Sequence, residues 1–262
     1  MELSKTIPLI GLLMLAQSMS VAAPPTTGMK TNQTSTRNAD KTKEPEPIRT
    51  IRTRATIASE LMRSGDQLLR SDQVRSACNA YQKAHDALPT WWMPRLAIVR
   101  CGRITGVPNA RLLQHAEYAV KARPQIAITH TEYGAVLEEA GRKAEAAKAY
   151  QAALRIDVRR FDARIRLGIL LADLGQYKAA KRHLETIVRF RPREMRVLLA
   201  LAQSHEGLGE LNKAERTYQK IAQKTLYPAQ GLARLIQFYE RHGMDKKSSK
   251  AKKRFSTRFP SQ

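Results

Sequence analysis

Six histidines, two cysteines and one adjacent pair of carboxylates are the residues with most chemistry to offer in this 262-residue chain. Histidine and carboxylates move protons when a partner stands within hydrogen-bond reach, and cysteine attacks when its thiolate is stabilised. His85, His115, His130, His183, His205 and His242 stand singly, and Cys78 and Cys101 form no CxxC motif. The chain has no HExxH, no GxSxG, no phosphate-cradling glycine loop and no cluster with metal-ligand spacing. Glu138 and Glu139 fall near an expected helix end, where adjacent carboxylates read as wetted surface rather than as an acid/base pair. These residue types predict no catalysis, no cofactor and no metal.

The elements that hold them are set by five glycines. Gly106, Gly141, Gly175, Gly209 and Gly243 lie 35, 34, 34 and 34 residues apart. A fixed period of this length means one supersecondary unit copied along the chain, and such a unit buries its apolar face only against its neighbours. Around Gly175, Leu167, Leu170, Leu171 and Leu174 recur at three and four, which predicts an amphipathic helix before the glycine. Ala179, Ala180, Leu184, Ile187 and Val188 predict a second helix after it, closed by Pro192. Gly175 then stands where the first helix ends, in a position suited to left-handed backbone.

With Gly175 as position 15 of a 34-residue unit, position 20 holds Ala77, Ala146, Ala180 and Ala214, and position 24 holds Tyr81, Tyr150, Leu184 and Tyr218. Position 8 holds Gly65, Gly134, Gly168 and Ala202, and position 32 holds Pro89, Pro124, Pro192 and Pro260. This pattern resembles the tetratricopeptide repeat, whose small residues let paired helices approach while a bulky side chain at 24 fills the space beside them. The resemblance implies an all-α, right-handed superhelical solenoid of helical hairpins and a role in binding other proteins. Six units are predicted: 58–91, 92–126, 127–160, 161–194, 195–228 and 229–262. The second holds one extra residue near Val107, Pro108 and Asn109, and the first has Asp72 where glycine is expected.

Residues 1–22 read as a secretory signal peptide. The apolar run from Ile7 to Ala16 is about half the length needed to span a bilayer, and Ser20-Val21-Ala22 offers a small-x-small cleavage site. No cysteine follows the run to carry a lipid. The expected location is periplasmic or secreted. Residues 23–57, rich in Thr, Pro, Lys and Arg, predict a disordered basic linker. By repeat register, Cys78 falls on the second helix of unit one and Cys101 on the first helix of unit two, which should be packed neighbours. In an oxidising compartment they form a disulfide; the alternative is two buried thiols acting as apolar fillers.

The net charge is +23, and unit six alone carries +7. Lys246, Lys247, Lys250, Lys252, Lys253 and Arg254 crowd into nine residues. Such a block docks on an anionic polymer or on membrane head groups, or else simply solvates a capping helix. No nucleic-acid fold accompanies it, and aromatics are too few for a stacking platform, which argues against sequence-specific nucleic acid.

In the repeat family, ligands lie along the concave face at positions 2, 5, 9, 12 and 13 of the first helices. The resemblance therefore assigns a peptide-binding groove to Met93, Leu96, Arg103, Thr131, Ala135, Ile165, Ile169, Leu199 and Gln203, with Arg100, Glu138, Glu139, Asp173, Arg196 and Glu206 beside them. Ile165, Ile169 and Leu199 either give a peptide its apolar pockets or complete inter-helix packing. Family members that clamp a terminal carboxylate use Lys at 5 and Asn at 9 of the first unit; here Met62 and Asp66 stand there. Repeat number and length also resemble the pilotin-like proteins that assist secretin assembly in type IV pili, which are lipidated. The function predicted is an exported scaffold in assembly of a cell-envelope complex, with anionic polymer or membrane binding through the linker and C-terminal helix as the alternative.

Overall fold

A computed structural model describes residues 46–224 and 228–259. Twelve α-helices and no strand occur among them. Residues 1–22, expected to be a signal peptide, and residues 23–45 of the expected linker lie outside the described residues. The chain divides into two compact bodies, one ending at Arg123 and one beginning at Pro124.

In the first body, α1 (Glu46–Arg70) pairs with α2 (Val74–Ala87), and α3 (Trp92–Thr105) pairs with α4 (Asn109–Ala122). Packing of α2 against α3 joins the two hairpins. Ala58, Ala77 and Ala84 are fully buried and bring the backbones close, while Tyr81 and Trp91 fill the volume beside them. Trp92 is only partly buried against this core. Here α1 corrects the expected linker, because residues 46–57 are helical rather than disordered. Pro47, the one proline in that stretch, sits in the first helical turn, where its missing N–H costs nothing. Ile51 and Ile57 on this extension remain 60% and 45% exposed.

The second body holds four hairpins: α5 (Ala127–Glu139) with α6 (Lys143–Ile156), α7 (Phe161–Asp173) with α8 (Tyr177–Phe190), α9 (Met195–Gly207) with α10 (Leu211–Lys224), and α11 (Pro228–Arg241) with α12 (Asp245–Arg258). Each second helix packs on the next hairpin's first helix, and α7 also packs on α9. First helices therefore form one face of this body and second helices the other. Tyr150, Leu184, Ile187, Leu198 and Phe238 are fully buried within it. Burying a leucine of this kind stabilises by roughly 1.5–3 kcal/mol.

Every hairpin turns in the same way. The five periodic glycines have φ between 62° and 78°, and Asp72 takes φ 60° at the corresponding place in the first hairpin. At each, the next residue's N–H donates to the carbonyl five residues before itself: Gln176 to Leu171 at 2.8 Å, Arg142 to Leu137 at 2.9 Å, Gln73 to Leu68 at 2.9 Å. This satisfies carbonyls that the helix end would otherwise leave unpaired. Two residues, Val107 and Pro108, separate Gly106 from α4, where one separates Gly175 from α8; the second unit's extra residue lies there.

Candidate functional site

Several of the expected groove residues come together on the first-helix face of the second body. An open pocket of about 630 Å³ is lined by Ile169 and Asp173 of α7, Tyr177 at the start of α8, and Arg196, Leu199, Ala200, Gln203, Glu206 and Gly207 of α9. Tyr218 of α10 and Arg234 and Arg241 of α11 complete it. The spacing of 196, 199, 200, 203, 206 and 207 is one stripe of a helix, so a single face of α9 forms the floor. The Tyr177 ring lies directly against Gly207, where any side chain would collide with it.

Charge within the pocket is distributed unevenly. Glu206 is engaged on several sides: Tyr218 Oη donates to it at 3.1 Å, Arg241 pairs at 3.0 Å and His242 Nε2 lies 2.9 Å from its other oxygen. Burial and the Glu206 carboxylate push the Tyr218 hydroxyl up to about 12, so it stays a donor at any physiological pH. Arg234 donates to Gln237 at 3.2 Å, and Arg196 has no described protein partner. With Glu206 occupied, the rim presents guanidinium groups around the apolar patch of Ile169, Leu199 and Ala200. Asp173 is the opposing carboxylate.

A tyrosine at position 24 bonded to a first-helix acid recurs. Tyr150 Oη donates to Glu138 at 2.6 Å, and Arg166 pairs with the same carboxylate at 3.2 Å. Glu138 is therefore a structural acceptor. In the first body Tyr81 Oη donates to Asp66 at 2.7 Å, and burial followed by the Asp66 hydrogen bond raises the phenol's pKa.

Of the groove residues expected from the sequence, Ile169, Leu199 and Gln203 line one pocket, with Asp173, Arg196 and Glu206 beside them. Ile165 is half-buried on α7 and does not line it. Four assignments are corrected. Leu96 and Met93 belong to buried packing in the first body, and Ala135 and Thr131 are buried in α5, where Thr131 Oγ1 bonds back to the Ala127 carbonyl at 2.9 Å. None of the four offers surface to a ligand. Arg103 is half-buried on α3 of the first body. Arg241 was not foreseen, although its place at position 13 of unit six is a signal; Tyr177 and Arg234 had none.

The C-terminal cations do not act as one block. Lys247 pairs with Glu215 at 2.7 Å, while Lys252 pairs with Glu240 at 2.7 Å. Lys246, Lys250, Lys253 and Arg254 are exposed and have no described carboxylate partner. Lys247, Lys250 and Arg254 face a smaller pocket of about 310 Å³ on the second-helix face, over Tyr239, Leu235 and Ala251.

Cys78 and Cys101 form a disulfide with Cα atoms 5.7 Å apart, tying α2 to α3. Among the described residues no group of three or more histidine, cysteine or acidic side chains gathers as metal ligands would. No described helix is long and apolar enough to cross a membrane.

Hairpins of this length, closed by a left-handed residue and stacked first helix to second, define a helical-repeat binding protein. Three tetratricopeptide-repeat family models match the chain, over residues 113–157, 137–196 and 196–228. The chain is a tetratricopeptide-repeat protein. No curated protein sequence matches it significantly. Among solved structures, PilF of Pseudomonas aeruginosa is 18% identical with a TM-score of 0.63, covering 80% of this chain and 95% of its own. PilW, a widely conserved type IV pilus biogenesis factor, is 19% identical with a TM-score of 0.65, covering 79% and 95%. YrrB, a repeat protein with an unusual peptide-binding site, is 17% identical with a TM-score of 0.61, covering 71% and 95%. At these identities the likeness is one of fold.

Proposed function

We propose that this protein is an exported scaffold that holds a peptide segment of a partner protein during assembly of a cell-envelope complex. The observation that carries the reading is the pocket on α7, α9 and α11, where the apolar patch of Ile169, Leu199 and Ala200 is rimmed by arginines and by the carboxylates of Asp173 and Glu206. Such a site suits an apolar side chain on an extended or helical segment, with the rim setting its register. Support also comes from the disulfide, which belongs to an oxidising compartment, and from the pilus-biogenesis and peptide-binding roles of structural relatives. The signal peptide read in residues 1–22 agrees. The sequence carries no catalytic constellation, and the repeat family is one of scaffolds.

A second reading, attachment to an anionic polymer or membrane through the basic linker and C-terminal helix, draws on the cationic pocket of Lys247, Lys250 and Arg254. One experiment separates the two. A photocrosslinking residue is placed at Ile169 and, in parallel, at Lys250, in cells and with or without Leu199→Glu. A discrete protein adduct at Ile169 that disappears with Leu199→Glu is the expected result. Silence at Ile169 with heterogeneous polymeric adducts at Lys250 overturns the scaffold reading.

A further inference from the structure

The second body carries a surface that neither pocket includes. On the edge where one repeat passes to the next, the turn from α6 to α7 and the turn from α8 to α9 lie side by side, because Phe161 and Phe190 pack with ring centroids 5.1 Å apart. Val158 is 66% exposed and Phe190 64%, more than any other large apolar side chain described in this body. Arginines flank both: Arg159 beside Val158, Arg189 and Arg191 on either side of Phe190, and Arg193 next in the turn.

Like Lys246, Lys250, Lys253 and Arg254 of α12, these cations lack the ion pairs that hold others in the body. Arg142 pairs with Glu145, Arg166 with Glu138, Lys181 with Glu210, Arg241 with Glu206 and Lys247 with Glu215. Arg159, Arg189, Arg191 and Arg193 are exposed, and none of their guanidinium groups has a described carboxylate partner, although the Arg159 backbone N–H donates to Asp157 at 2.9 Å. Two exposed apolar side chains at turns, Phe190 between Arg189 and Arg191 and Val158 between Asp157 and Arg159, with the cations in excess, match an interface whose outer layer is anionic and whose inner layer is apolar. Val158 has no π-face, so the pair is poorly suited to stacking on nucleobases. An exposed turn also suits a soft surface that it can enter better than it suits a preformed protein cleft.

We propose that this edge docks on an anionic lipid bilayer, with Val158 and Phe190 entering the head-group region and Arg159, Arg189, Arg191 and Arg193 holding phosphates. The surface is separate from the pocket of α7, α9 and α11, so a partner peptide and a membrane can be engaged together. The guanidinium fork takes a phosphate through two hydrogen bonds, which arginine does better than lysine. Attraction to an anionic surface falls off within a Debye length, so docking should weaken with salt.

The test uses the full chain with an environment-sensitive fluorophore on Phe190→Cys, and a parallel probe on Ser249→Cys of α12. The expected result is a blue shift at position 190 on phosphatidylglycerol vesicles, none on phosphatidylcholine vesicles, and quenching at 190 by bromine-labelled acyl chains. Neutralising two cations with Arg189→Gln and Arg191→Gln should lower partitioning read at 190 about 30-fold, from roughly fivefold per charge at an anionic surface. Unchanged far-ultraviolet dichroism confirms that the variant is folded. A shift at 249 with none at 190 moves attachment to the C-terminal helix and overturns the proposal. So does an equal shift at 190 on neutral vesicles, or a response at 190 to single-stranded oligonucleotide alone.

Discussion

Replacing glycine by alanine should fail for different reasons at two kinds of site in this fold. Gly175 has φ 73°, and an added Cβ would meet no atom within 4 Å. The only cost is conformational: about 1–2 kcal/mol for an L-residue in left-handed backbone, offset by roughly 0.4–1 kcal/mol from a less flexible unfolded chain. Gly175→Ala should therefore destabilise by about 1 kcal/mol, and Gly175→Asn by less, because asparagine tolerates this region. Gly134 lies inside α5, where a Cβ would stand 2.8 Å from Tyr150 Cε1. That ring is fully buried and tied to Glu138, so it has nowhere to retreat. Overpacking of this sort costs about 1–3 kcal/mol, against roughly 1 kcal/mol gained in helix propensity. At Gly134 the larger asparagine should thus be worse than alanine, the reverse of the order at Gly175. Urea denaturation of the four variants, followed by far-ultraviolet dichroism, reads the ranking from the midpoints. The same ranking at both sites would refute the separation of backbone from packing roles.

Other perturbations have equally definite outcomes. Replacing Cys78 and Cys101 with serine opens a crosslink spanning 23 residues and should lower the first body's stability by about 3 kcal/mol in the chain-entropy model, seen as a lower melting temperature without reductant. Tyr218→Phe removes one donor from Glu206 and should cost about 1 kcal/mol, measured by thermal unfolding. Hydrogen bonds from Lys181, then His205, hold the Glu210 carboxyl down at about 2. A depressed carboxyl contributes stability above its unfolded pKa, so this contribution should fade between about pH 4.5 and 2, and Glu210→Gln should flatten the stability profile there.

The hairpins were legible because their turns depend on one local fact: a residue must adopt positive φ after each first helix, and glycine does so at five of six turns. Asp72 departs from that pattern yet takes φ 60°, since the flanking helices impose the turn on it. Register placed Cys78 and Cys101 on neighbouring helices, because helix adjacency in a repeat is fixed by chain order, while the choice between a bridge and two buried thiols rested on the expected compartment. The binding face was less legible. Ile169, Leu199 and Gln203 share a pocket, yet Leu96 and Ala135, assigned from the same positions of other repeats, are buried. Which stripe of a first helix stays open depends on how its neighbours close over it, and this varies from repeat to repeat. Tyr177 illustrates the difficulty: it enters the pocket because Gly207, thirty residues later, leaves room for its ring. The start of α1 within the expected linker is a further case, since the helix of the first hairpin simply propagates backward through residues with no strong breaker.

The bond between α2 and α3 also has a mechanical side. Anything pulling on the amino-terminal segment loads α1 and α2 first. If α2 unravels, tension passes at Cys78 directly to Cys101 and bypasses the chain between them. The 23 residues of separation, about 80 Å of extended chain, are withheld from stretching. Force then enters α3 near its carboxyl end, leaving the junction of the first two hairpins as a short, inextensible shackle.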